Sequence, residues 1–129
     1  MQEVKKDIIY AKETYEIIGM MYDVWNKLGY GHKENFYQIG VAEIFRKNKK
    51  NFKEQLKVRI KLGDKELGIY ILDFLYEGII VIELKQGEIF SRQDIKQVYA
   101  YLKATNLKLG LLIHFTKNGV KFKRIVNLK

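Results

Sequence analysis

The chain has 129 residues, 47% of them hydrophobic and none of them cysteine, so it is read as one domain over 1–129. That composition excludes intrinsic disorder, a disulfide framework, a thiolate zinc site and a cysteine nucleophile. The net charge of +9 points to a polyanion partner or to an ordinary lysine-rich surface.

Ile8, Tyr15, Ile18, Met21, Tyr22, Trp25 and Leu28 recur at steps of three and four, which predicts a helix over 7–28, ended by Gly29-Tyr30-Gly31. A second helix is predicted from about His32 to Lys47, with Phe36, Ile39, Gly40, Ala42 and Ile44 among its inner positions. The segment Gln55 to Leu62 alternates Leu56, Val58, Ile60 and Leu62 with Lys57, Arg59 and Lys61, the pattern of a strand with one wet face. After the turn Gly63-Asp64-Lys65, two apolar runs, Leu67 to Tyr76 and Ile79 to Leu84, have the composition of central, buried strands. Ser91-Arg92-Gln93-Asp94 has capping-box spacing at the start of a third helix. Its inner stripe is Ile95, Val98 and Leu102, and Asn106 suits a left-handed cap. Leu109 to Phe115 reads as a further buried strand and Val120 to Val126 as an edge strand. There is no proline, linker, repeat or low-complexity tract. Two helices, three strands, a helix and two strands argue an α/β sandwich around a central mixed β-sheet flanked by helices.

No apolar stretch approaches the roughly 18 residues of a membrane span. The first residues, Met1 to Asp7, carry both signs of charge and lack the apolar centre of a secretory leader. The expectation is a cytoplasmic protein without a membrane partner. Its charge is unevenly placed: residues 1–45 sum to −2, 46–65 to +7, 66–94 to −4 and 95–129 to +8. Two basic blocks bracket an acidic segment. Only Arg46, Arg59, Arg92 and Arg124 are arginines, so contact with a nucleic acid backbone should outweigh reading of base edges.

Carboxylates do not belong in buried strands without a reason, because an unpaired buried charge is prohibitively costly. Asp73 lies in the first apolar run; Glu83 and Lys85 lie in the second and share a face. A two-residue loop at Glu77-Gly78 puts Asp73 opposite Ile82, on the wrong face. A three-residue loop, Tyr76 to Gly78, pairs Leu75 with Ile79 and puts Asp73 opposite Val81, on the face of Glu83 and Lys85. Gly78 in the left-handed position favours that loop. The three charges are either a salt-bridged trio closing the sheet edge or an oxygen-ligand site of the kind that suits Mg²⁺. Two acids with one base leave a negative hole in a basic protein, which favours the metal.

Asp73 followed by Glu83-Leu84-Lys85 resembles the D…ExK signature of the PD-(D/E)xK nuclease superfamily, with Leu72 in place of its proline. Gly31-His32-Lys33-Glu34-Asn35-Phe36-Tyr37 reads GxxExxY, the motif that names a small bacterial and archaeal family of that superfamily. Gln97 to Tyr101 is similar to its QxxxY element, and the likeness covers about residues 15–127. The resemblance implies a restriction-endonuclease-like fold and a metal-dependent nuclease acting on DNA, with RNA second and little sequence selectivity. It implies Asp73 and Glu83 as ligands of Mg²⁺ (Mn²⁺ as substitute) with the Leu84 carbonyl, and Lys85 orienting or deprotonating water and stabilising phosphate. It brings Glu34 to the metal, directly or through water; by itself Glu34 is a helix-start carboxylate favoured by the dipole. Tyr37, on the same face, braces Glu34.

Gln97 would hold the Lys85 amine or a phosphate, while Tyr101, four residues on, is read as a core aromatic ahead of a functional one. His114 is read as a satisfied core histidine, and His32 lacks the partners of a zinc site. Symmetric dimers are common in the superfamily, so a homodimer is an expectation. The alternative function is a non-catalytic nucleic-acid-binding module or an accessory subunit that keeps the nuclease fold.

Overall fold

The computed structural model describes residues 8–128; Met1–Asp7, with Asp7 of the expected first helix, and Lys129 lie outside them. The elements run α1 (Ala11–Leu28), α2 (Glu34–Lys47), β1 (Phe52–Leu62), β2 (Lys65–Tyr76), β3 (Ile80–Gln86), α3 (Arg92–Thr105), β4 (Leu109–Thr116) and β5 (Gly119–Val126). This is the order expected from the sequence. Ser91 caps α3, its hydroxyl accepting the Asp94 N–H at 3.0 Å, and Asn106 ends α3 at φ 60°.

The five strands lie in the order β1-β2-β3-β4-β5. All neighbours are antiparallel except β3 and β4, which are parallel and therefore need the α3 crossover. The mixed sheet flanked by three helices is a restriction-endonuclease-like α/β architecture.

Each face of the sheet is covered differently. On one, α1 and α2 pack Ile17, Met21, Tyr37, Val41 and Phe45 against Phe74, Ile82, Leu84, Leu111 and Ile113. On the other, α3 packs Val98, Tyr101 and Leu102 against Leu72, Val81, Leu112 and Ile125. Gly110 allows that close approach, because a Cβ there would collide with a methyl of Val98. Among the described residues, no helix is long and apolar enough to cross a membrane.

Three sequence expectations change. In α2 the buried positions include Tyr37, Val41, Ala42, Ile44 and Phe45, whereas Phe36 and Ile39 point outward. This helix is apolar on several sides, and the 37-41-45 phase is the one that fits the aromatic residues of β2. Secondly, only the C-terminal half of β2 is a central strand: Leu72, Phe74 and Tyr76 are buried, but Leu67, Ile69 and Ile71 are 61%, 46% and 48% exposed. Pairing of β2 with β3 begins at Phe74, so the earlier half has β1 alone as a neighbour.

Thirdly, the β2–β3 loop is Glu77-Gly78-Ile79. Tyr76 pairs with Ile80 and Leu75 with Val81, not with Ile79. Glu77 (φ 51°) and Gly78 (φ 71°) are both left-handed, and the Ile79 N–H closes the turn on the Tyr76 carbonyl at 2.9 Å. The expected loop has the right length but begins one residue late, which moves the partner of Asp73 by two positions and leaves its face unchanged.

Candidate active site

The carboxylates of Asp73 and Glu83 meet where β2 leaves β3. Regular pairing stops at Phe74–Ile82, and continuing that register sets Asp73 opposite Glu83. In place of the next backbone rung, the Asp73 N–H donates to Glu83 Oε1 (3.1 Å) and the Leu84 N–H donates to Asp73 Oδ2 (2.8 Å). On β1, Gln55 takes φ 55° beside this point. The hairpin rolls over there, so that Leu72 packs under α3 although it is in phase with Phe74 on the opposite face. In a strand the N–H and C=O of one residue point the same way, so the Leu84 carbonyl faces Asp73 too.

Burial raises the Glu83 carboxyl to about 8, reinforced by the charge of Asp73 and opposed by Lys85 and the Asp73 N–H. Burial also raises Asp73, against the Leu84 N–H and the Glu83 hydrogen bond and together with the charge of Glu34. With both groups raised, the two carboxylates resist being ionised together. Two opposed carboxylates, Glu83 buried and Asp73 half-buried, beside a backbone carbonyl are an oxygen donor set of the type hard divalent cations take, and a cation there would offset their mutual repulsion. The residues present fit such an ion.

Lys85 projects from the same face of β3, its ammonium 3.8 Å from Glu83 and 3.7 Å from Asp94. Burial by itself would lower it, but Asp94, Glu34, Glu83 and Asp73 together hold it above its ordinary value. A raised Lys85 favours the cationic form, which fits orienting water or phosphate. Glu34, the first residue of α2, is exposed and stands at the rim, near enough for its charge to act on Asp73 and Lys85. Among the described residues no three acidic or histidine side chains form a group that could enclose an ion.

The remaining sequence candidates separate clearly. Tyr37 is fully buried, donates its hydroxyl to the Gly29 carbonyl and stacks on Phe115 (centroids 4.4 Å apart), fixing the loop that leads to Glu34. The Gln97 side chain is half-buried and makes no hydrogen bond among the described residues; the partner of Lys85 on α3 is Asp94, one turn earlier. Tyr101 belongs to the core under α3. His32 bonds the Leu28 carbonyl at 2.8 Å. His114, opposite Lys85 on β4, is only half satisfied: Nδ1 meets the Gly87 carbonyl at 2.8 Å while the buried Nε2 has no partner.

Asp94 is the site residue that sequence reasoning missed. Its signal was present in the capping spacing from Ser91, which fixes an acid in the first turn of the helix that follows β3.

The geometry agrees with comparisons to known proteins. A family model described as PD-(D/E)XK nuclease superfamily matches residues 11–125. The fold resembles the crystal structure of SSO0001 with a TM-score of 0.56 at 18% identity, over 73% of this chain and 50% of that one. The chain thus spans about half the length of that protein, and the likeness is one of fold. No curated protein matches it. Superfamily members are generally phosphodiester hydrolases that act on nucleic acid and typically use divalent metals. With nearly its whole length matched and its acidic pair and lysine on the expected strands, the chain belongs to the PD-(D/E)XK nuclease superfamily.

Proposed function

We propose that the chain is a metal-dependent nuclease of the GxxExxY branch that hydrolyses phosphodiester bonds in DNA with little sequence selectivity. The observation that carries this reading is the opposed pair of Asp73, half-buried, and Glu83, buried, both raised in pKa, with Glu83 accepting from the Asp73 amide and Asp73 from the Leu84 amide. A structural salt bridge would favour ionised, neutralised carboxylates, yet Lys85 is shared with Asp94 and burial raises both carboxyls.

Asp73, Glu83 and the Leu84 carbonyl would hold Mg²⁺ or Mn²⁺, with Glu34 joining from the rim through water. The ion, when bound, supplies a Lewis acid for the phosphate and a lowered pKa for its water. The chain's own residues do the rest. Lys85 presents a fixed positive charge to the phosphate, and Asp94 aims it. Gln97, on the same face of α3 as Asp94, has a free amide to donate to a phosphate oxygen.

The test is a panel of labelled duplex, single-stranded and junction DNA and of RNA, incubated with Mg²⁺, Mn²⁺ or EDTA. Cleavage is expected with either ion and not in EDTA. Asp73→Ala and Lys85→Ala should each lower it by about 10²–10³-fold or more while leaving the far-ultraviolet circular dichroism unchanged. Cleavage in EDTA, or a near wild-type rate from either variant, would overturn the assignment.

A further inference from the structure

Before Phe74, β2 runs beside β1 alone, and from Lys65 to Leu72 this two-stranded ribbon extends about 25 Å. Its inner side is held by α3 through Leu56, Val58 and Leu72. The other side has a different chemistry. Lys57 pairs across the ribbon with Ile71 and Arg59 with Ile69; past a register shift between Ile60 and Lys61, Lys61 pairs with Glu66. Lys57, Arg59, Lys61, Ile69 and Ile71 are exposed, and Glu66 holds the Arg59 guanidinium at 2.9 Å. This side begins two residues from Asp73, at the hinge where the hairpin rolls away from β3.

Cations alternating with isoleucines on an edge ribbon complement a polyanion that also offers apolar surface. A second copy of the same face would bring lysine against lysine, the arrangement by which natural edges resist pairing. The major groove of B-form DNA, about 12 Å wide, admits a two-stranded β-ribbon, whereas the major groove of an A-form RNA helix is too narrow for side chains to read. We propose that the β1–β2 ribbon is a duplex-DNA arm that lies in the major groove beside the bond held at Asp73. Lys57, Arg59 and Lys61 contact the flanking phosphates, and Ile69 and Ile71 rest against base edges and thymine methyls. The proposal deepens the nuclease reading and rests on it for where the cut falls; binding itself does not need the carboxylates.

Fluorescence anisotropy in EDTA, where cutting is stopped, compares a DNA duplex with an RNA duplex of the same sequence across a salt series. The triple variant Lys57→Gln/Arg59→Gln/Lys61→Gln is set against Lys96→Gln/Lys103→Gln/Lys108→Gln, which removes the same charge from the second basic block. At about 0.9 per phosphate, the ribbon variant should lose about 2–3 from the slope of log K against log salt. It should bind DNA about tenfold or more weakly, while the control changes little and the RNA duplex is bound poorly by all three proteins. Ile71→Ser alone should narrow the preference for DNA over RNA without changing the salt slope.

Equal losses in the two triple variants, or ribbon-dependent RNA binding as strong as that of DNA, would overturn the proposal. So would sedimentation of a wild-type dimer that the ribbon variant splits, since a second copy would then cover this face. Intact ribbon-dependent binding without cleavage in Mg²⁺ would break the nuclease reading and leave the arm standing.

Discussion

The two faces of the sheet are built to different rules. Under α1 and α2, the inward residues of β2, β3 and β4 are apolar except Gln86 at the end of β3, and they lead to an aromatic cluster around Phe45, whose ring lies 5.2–5.5 Å from those of Phe52, Phe74 and Tyr76. Under α3, the apolar layer gives way after Val81 and Leu112 to Glu83, Lys85 and His114. The same strands thus carry a closed core on one side and an unfinished one on the other. The difference concentrates apolar packing in the first face and the charged groups of the candidate site in the second, where the sheet itself comes apart.

Substitutions that act on one face at a time test this division. The largest effect should come from Phe45→Ala, which empties the aromatic cluster: a loss of about 3–5 kcal/mol by urea denaturation, with cleavage per folded molecule retained. A loss below about 1 kcal/mol would mean that the first face is not where stability resides. Gly110→Ala acts across the sheet by forcing Val98, and with it α3, outward. It should cost about 1–3 kcal/mol, and cleavage should fall as well because Asp94 moves with α3 away from Lys85. Unchanged cleavage at that cost would separate α3 docking from the site.

The smallest shift, and the most specific, belongs to Glu83→Gln. Glu83 is raised from 4.5 to about 8, so in the folded protein it holds a proton that the unfolded chain has released. Its contribution is complete below about pH 4.5 and fades as pH rises through about 8. In EDTA the wild type should therefore lose stability across that window, and Glu83→Gln, an uncharged mimic of the protonated form, should lose less. A gap of about 1 kcal/mol or more, or about 3 °C in Tm, is expected at pH 8, shrinking towards pH 5. Equal slopes would show that Glu83 is ionised throughout.

The order of elements was legible because most carry their own punctuation. Gly29 to Gly31 stops α1, Ser91 opens α3, Asn106 closes it, and the alternation of β1 gives its wet side. The shared face of Asp73, Glu83 and Lys85 was legible from strand parity and from the need for a three-residue loop. Its exact register was not, because Glu77 adopts a left-handed φ that side chains other than glycine resist. A distant residue compensates: the Glu77 N–H donates to the Asn51 carbonyl (2.8 Å) and the Asn51 N–H donates to Glu77 Oε2 (2.9 Å). No local pattern announces a clamp between residues twenty-six apart. For the same reason the exposed half of β2 read as buried: Leu67, Ile69 and Ile71 have a core composition, and only the departure of β3 leaves them uncovered.

At the missing rung between β2 and β3, the amide hydrogens of Asp73 and Leu84 are shielded by carboxylate oxygens instead of by a neighbouring strand. Anything that reorients those carboxylates, whether a proton leaving Glu83 or a cation arriving, changes what two backbone amides are bonded to. Their solvent exchange and their nitrogen-15 resonances are thereby linked to the occupancy of the site. Two built-in reporters sit in the main chain, readable without any label and without waiting for turnover.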